Sequence, residues 1–233
     1  MSNKSRIRPD VDSTTTYQQQ AYDFVKTQIL NLELKPGQYI TDSQVAEALG
    51  TSRTPAREAL SLLAHEGLLI SETGRGWKVY TLSIEDIQKI FELKENVEGM
   101  MVRKAARCED EELRAALRDV MEQMKHAATI ANYEAWRQAD DELHRILYAM
   151  CDNRRACDIV QNLNDQWLRL RAGSETLEGR MERSTSEHEA VVKSILDGDA
   201  DEAERQMQIH IGNVKQALEQ VMRIVLPFMQ EGV

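Results

Sequence analysis

Apolar residues recur at helical spacing over the first folded stretch of the chain. Between Tyr17 and Leu32, Ala21, Phe24, Val25, Ile29 and Leu30 mark one face of a helix, and Lys35-Pro36-Gly37 breaks it as a turn. Thr41-x-x-Gln44 is a capping box opening a second helix, with Val45, Ala46 and Leu49 on one face and Gly50 as the stop. Four residues on, Thr54 as N-cap and Pro55 as first helical residue predict a third helix carrying Ala56, Ala59, Leu60 and Leu63 and ending near Gly67. Leu68-Leu69-Ile70 and Trp77-Lys78-Val79-Tyr80 then flank Thr73-Gly74-Arg75-Gly76, the pattern of a hairpin. Beyond Tyr80 no strand signal remains. Helical periodicity covers roughly 83–106, 109–131, 133–151, 154–172, 184–197 and 199–228, with starts marked by Ser184-x-x-Glu187 and Asp199-x-x-Glu202. Met100, Met101 and Val102 read as core. The predicted fold is mainly α: a polar flexible arm at 1–16, a winged helix-turn-helix at 17–80, and an antiparallel helical bundle at 81–233.

Composition agrees with helices: aromatics are 5% of 233 residues, too few for a chain built on sheets. The net charge of −10 argues at first against a nucleic-acid partner. Its distribution weakens that objection. Residues 1–80 hold nine basic and nine acidic side chains, and residues 81–233 hold twenty and thirty. A neutral module needs only one basic face to dock on DNA. No apolar run approaches the ~18 residues of a membrane span. The opening MSNKSRIRPD has no apolar core of a secretory signal. Cys108, Cys151 and Cys157 are odd in number and form no Cys-x-x-Cys, which fits a reducing cytoplasm.

Two constellations carry chemistry. In a winged helix-turn-helix the third helix enters the major groove with its N-terminal residues on base edges. Here that turn holds Ser52, Arg53, Thr54 and Arg57: two planar guanidinium forks and two hydroxyls for bases and phosphates. At the hairpin tip Arg75 stands between Gly74 and Gly76, with Lys78 just beyond, so that a cation could reach a minor groove. Singly, each arginine reads equally as a solvated charge; together with the wing they outline a duplex-DNA surface. In the C-terminal part Asp140 and His144 lie four apart on one helix face, and His188 and His210 sit on two later helices. This sulfur-free set suits a divalent ion, zinc or nickel by affinity order, manganese or iron as alternatives. By spacing alone the signal is weak, and the same residues read more readily as ordinary polar or core side chains. Three function classes follow: a ligand-responsive DNA-binding regulator, a metal-dependent hydrolase fused to a DNA-binding module, and a plain dimerisation bundle.

The stretch LELKPGQYITDSQVAEALGTSRTPAREALSLLAHEGLL, followed by GRGWKV, resembles the DNA-binding domain of GntR-family bacterial transcription regulators across residues 22–80. The resemblance implies operator binding as a homodimer, with Arg53, Thr54, Arg57 and the wing Gly74–Gly76 matching DNA-contacting positions. One departure is Thr41-Asp42-Ser43, where several members carry an arginine. Residues 85–222 resemble the all-helical FCD-type ligand-binding domain of the family's FadR branch, through EDIQKIFELKENVE, DDELHRILYAMCDN, SEHEAVVKSILDGDADEA and MQIH. That resemblance implies Asp140, His144, His188 and His210 as metal ligands, a small carboxylate effector held at the metal, and cations completing the pocket. Lys94, standing where ELR is common, and Arg137 and Arg169 are the cations singled out. The expected protein is a cytoplasmic, dimeric regulator and not an enzyme.

Overall fold

A computed structural model of the chain describes residues 15–175 and 177–230; most of the polar arm read at 1–16 lies outside them. The chain forms two compact units, the first ending at Leu82 and the second starting at Ser83.

The first unit holds α1 (Tyr17–Leu30), β1 (Tyr39–Ile40), α2 (Asp42–Leu49), α3 (Arg53–His65), β2 (Leu69–Glu72) and β3 (Gly76–Val79). The capping box at Thr41 forms in full, and Gly50 closes α2 in the left-handed conformation. The N-cap of α3 is Ser52, two residues before the position that Thr54 predicts. Pro55 is therefore the third helical residue, still within the first turn, where a missing N–H breaks no helical hydrogen bond. The hairpin pairs β2 with β3, Leu69 opposite Val79 and Glu72 opposite Gly76. The sequence pattern misses β1, which adds to the other edge of β3 through Tyr39–Lys78 and Ile40–Trp77. Ala21, Val25, Ile29, Val45, Ala56, Leu60, Leu63, Leu68 and Val79 close one core. Gly76 is required here. Its φ is +96°, and a Cβ would stand 2.9 Å from the backbone oxygen of Ile40.

The second unit is all helix: α4 (Ile84–Ala105), α5 (Glu111–Thr129), α6 (Tyr133–Cys151), α7 (Arg154–Glu175), α8 (Arg180–Leu196) and α9 (Ala200–Gln230). Ser83 with Asp86, Asp110 and Asn132 cap the starts of α4, α5 and α6. Helix α4 packs on α9, α6 and α7, and α8 packs on α9 and α5. Met101 and Val102 are core, but Met100 is exposed. Three consecutive residues at ~100° per step cannot share one face. Helix α8 starts at Arg180 after the left-handed Gly179, a full turn before the Ser184 start that the pattern predicts. Ser184 and Glu187 are therefore interior residues, and both acquire other work.

Candidate metal centre and nucleic-acid interface

Helices α6, α8 and α9 each send one imidazole to a common point. Ligand nitrogens of His144, His188 and His210 lie within 4.8 Å of one another. Asp140, one turn before His144, stands outside that cluster but against it, its Oδ1 3.2 Å from His188 Nε2. Two of the three rings donate to an outer acceptor. His188 Nδ1 donates to the Ser184 carbonyl at 2.8 Å. His210 Nδ1 donates to Glu187 at 2.8 Å, and His144 Nδ1 lies 4.0 Å from Glu98. These bonds commit Nδ1 of His188 and His210, so in the neutral ring Nε2 carries the lone pair, the form a metal ligand takes.

Electrostatics define what the cluster lacks. Burial, then the field of His210, drives the His188 imidazole down to about 3. Burial would lift the Asp140 carboxyl, but His188, His144 and the Arg171 guanidinium outweigh it and hold it at about 2. With Nδ1 committed to the Ser184 carbonyl, the neutral His188 ring turns its Nε2 lone pair to the Asp140 carboxylate. His188 Nε2 is buried and makes no hydrogen bond among the described residues. A buried polar atom without a partner is costly, and a divalent cation between these groups satisfies both. The donor set, three nitrogens with one carboxylate alongside and no sulfur, fits such an ion.

The cluster opens on a cavity of about 420 Å³ walled by α4, α6, α7, α8 and α9. Lys94 is in the wall, buried at 3% exposure. It donates to Glu98 and Asn164 and lies over the rings of Phe91 and Trp167. The Lys94 ammonium and His144 hold the Glu98 carboxyl below the ordinary range although burial works the other way. Arg137 and Arg169 are not in the wall. The Arg137 guanidinium turns back along α6 to Glu134 at 3.7 Å. Arg169 is buried on another flank of α7, because two residues at ~100° each set it roughly opposite the wall-lining Arg171. Sequence reasoning missed Arg171, which binds Asp140 at 2.6 Å and Asp141 at 2.8 Å, and Arg180, which binds Glu187 at 3.1 Å. The helical phase of Asp140 and His144 gives no hint of either. Neither carries a local signal: Glu187, which joins His210, Arg180 and Asn213, reads in the sequence as a helix start.

In the first unit, Ser52, Arg53, Thr54 and Arg57 line the N-terminal turn of α3, all exposed. Among the described residues nothing engages the Arg57 guanidinium, whereas Arg53 is held by Asp42 at 3.1 Å. Gly74, Arg75 and Gly76 form the tip of the β2–β3 hairpin, with both glycines at positive φ. Arg75 reaches the Tyr39 hydroxyl at 3.5 Å, and Lys78 pairs with Glu72 at 3.8 Å. No helix among the described residues is long and apolar enough to cross a membrane.

Comparison with known proteins adds the following. Residues 17–79 match the family described as bacterial regulatory proteins, gntR family, and residues 89–213 match the FCD domain. The HTH-type transcriptional regulator YdhC of Bacillus subtilis (strain 168) is 25% identical over 213 residues, 91% of this chain and 95% of its own. The HTH-type transcriptional repressor RspR of Escherichia coli (strain K12) is 24% identical over 215 residues, 92% of this chain and 94% of its own. The solved structure of E. coli McbR/YncC shares the fold at a TM-score of 0.71 and 18% identity, covering 89% of this chain and 99% of that one.

Proposed function

Since the chain belongs to the GntR family of bacterial regulatory proteins and carries an FCD domain, it is a DNA-binding transcription regulator and not an enzyme, and we propose that a small carboxylate bound at a metal site in its bundle controls its affinity for operator DNA. Asp140, His144, His188 and His210 would hold one divalent ion per protomer, zinc or nickel from the donor set. When bound, the ion supplies a positive charge that attracts an anion. Lys94, Arg171 and Arg180 on the wall orient it, and Trp136 and Trp167 shield it from water. Ser52, Arg53, Thr54, Arg57, Arg75 and Lys78, with the Gly74 and Gly76 backbone, form the proposed DNA surface. A cytoplasmic homodimer reading two half-sites is the working assembly, because one such module gives modest specificity. Relief of repression is the sense of control we favour, by analogy with the E. coli relative named as a repressor.

The observation that carries this reading is the buried His188 Nε2 facing the Asp140 carboxylate on a cavity wall rich in cations. Calorimetry with a panel of small carboxylates, on metal-loaded and chelator-stripped protein, tests it. Binding should require the metal and should weaken when operator DNA is present. By linkage the effector must weaken DNA binding by the same factor; a coupling of ~1–3 kcal/mol makes a usable switch. Stripped protein that binds the carboxylate with undiminished affinity would sink the metal-held effector. An affinity indifferent to DNA would sink the control mechanism.

A further inference from the structure

Asp42 is an acidic residue on a surface that must meet phosphates. It opens α2, where a carboxylate suits the positive end of the helix, and that alone would explain an acid there. Its partner is what calls for more. Asp42 Oδ2 accepts from both Nε (3.3 Å) and Nη2 (3.1 Å) of Arg53, the first residue of α3, across the turn between the two helices. The Arg53 side chain is 70% exposed and that of Asp42 only 17%. The acid is seated in the protein and the arginine projects from it.

A guanidinium has two forks, a side-on fork of Nε and Nη2 and an end-on fork of Nη1 and Nη2. The carboxylate fills the side-on fork, and on a side chain this exposed it leaves the end-on fork available with its donors parallel. That is the geometry of a bidentate bond to the O6 and N7 of guanine. The pair also removes most of the net charge that would draw Arg53 to the nearest phosphate. As an exposed ion pair it adds little to stability, so its consequence lies in direction rather than in folding. Among the described residues no acid engages the guanidinium of Arg57, which lies one turn later on α3.

On the reading that α3 docks in the major groove, we infer that Asp42 is a specificity-determining residue. It positions Arg53 end-on as a reader of one guanine in each half-site and keeps it from acting as a phosphate clamp.

The test works without a known operator. Full-length wild type, Asp42→Ala, Asp42→Asn and Arg53→Ala are each used to select from a pool of random-sequence duplexes. The bound pools are sequenced, and affinity for the unselected pool is measured against salt. Wild type should enrich a motif with a fixed guanine, preferred roughly 10- to 100-fold, the discrimination a good bidentate pair gives. Arg53→Ala should lose that base alone. Asp42→Ala should flatten the same base about fivefold or more, and Asp42→Asn, which keeps one neutral acceptor, should fall between. Affinity of Asp42→Ala for the unselected pool should rise, with a salt dependence steeper by about 0.9 in log–log slope per released arginine. A merely structural role at the start of α2 would shift the melting temperature and leave the motif intact. An unchanged guanine preference in Asp42→Ala overturns the inference. So does loss of a different base from the one Arg53→Ala loses, which would mean that Asp42 reads a base of its own. No enrichment by wild type would instead bring down the DNA-binding surface itself.

Discussion

Glu187 accepts from three donors on two helices: His210 Nδ1, Asn213 Nδ2 and the Arg180 guanidinium. Burial raises its carboxyl, but His210, Arg180 and Asn213 together hold it below the ordinary range, so it stays ionised. An anion on Nδ1 makes the opposite nitrogen a better donor and stops the ring from turning. Glu187→Ala should therefore weaken divalent-metal binding about 10- to 100-fold, the usual cost of losing an outer partner, as read by competition with a chromogenic chelator. A variant that folds and binds metal as wild type does would show that His210 needs no such support. At this scale the three imidazoles that cluster were singled out through the family resemblance, by D-x-x-x-H and E-H, whereas Glu187 was not. Ser-x-x-Glu reads as a helix start, and only the position of Gly179 shows it to be mid-helix. Arg171 was hidden for a different reason. Nothing local distinguishes it from Arg169, and only the phase of α7 against the cavity separates the two.

The elements with several turns of periodicity were legible to within a few residues, because a buried helix face repeats its signal every turn. The strand β1 was not, since two residues cannot show a period. It is nonetheless what constrains the wing. Gly76 lies opposite Glu72 on one side, and its α-carbon faces the Ile40 oxygen on the other. Gly76→Ala should cost about 1–3 kcal/mol for the positive φ alone, more with the backbone contact, and should appear as an earlier urea transition of the N-terminal unit with weakened DNA binding. Gly74 also has positive φ, but a Cβ there would meet no atom within 4 Å. Asn tolerates that conformation better than most residues, so Gly74→Asn should be close to neutral. Equal losses at both positions would rule out the β1 contact as the cause.

For the whole molecule, the site implies that metal content and thermal stability move together. The proposed ligands come from α6, α8 and α9, so an ion held among them ties three helices of one unit. Ligation that favours the folded state adds stability by mass action, about 2.7 kcal/mol at a hundredfold excess over Kd. A chelator should lower the melting temperature of the bundle, and the difference should vanish in His188→Ala. A chelator shift that persists in that variant would place the ion elsewhere. Helix α7 stands apart in this scheme. Besides Arg171, which holds Asp140, it contributes Gln161, Asn164, Trp167 and Leu168 to the cavity wall and none of the three clustered imidazoles. On the proposed reading, changing these α7 residues would exchange the chemical signal while leaving the ligand set, the DNA surface and the fold as they are. Transplanting those four wall residues between two such regulators should swap their inducers and leave metal affinity alone.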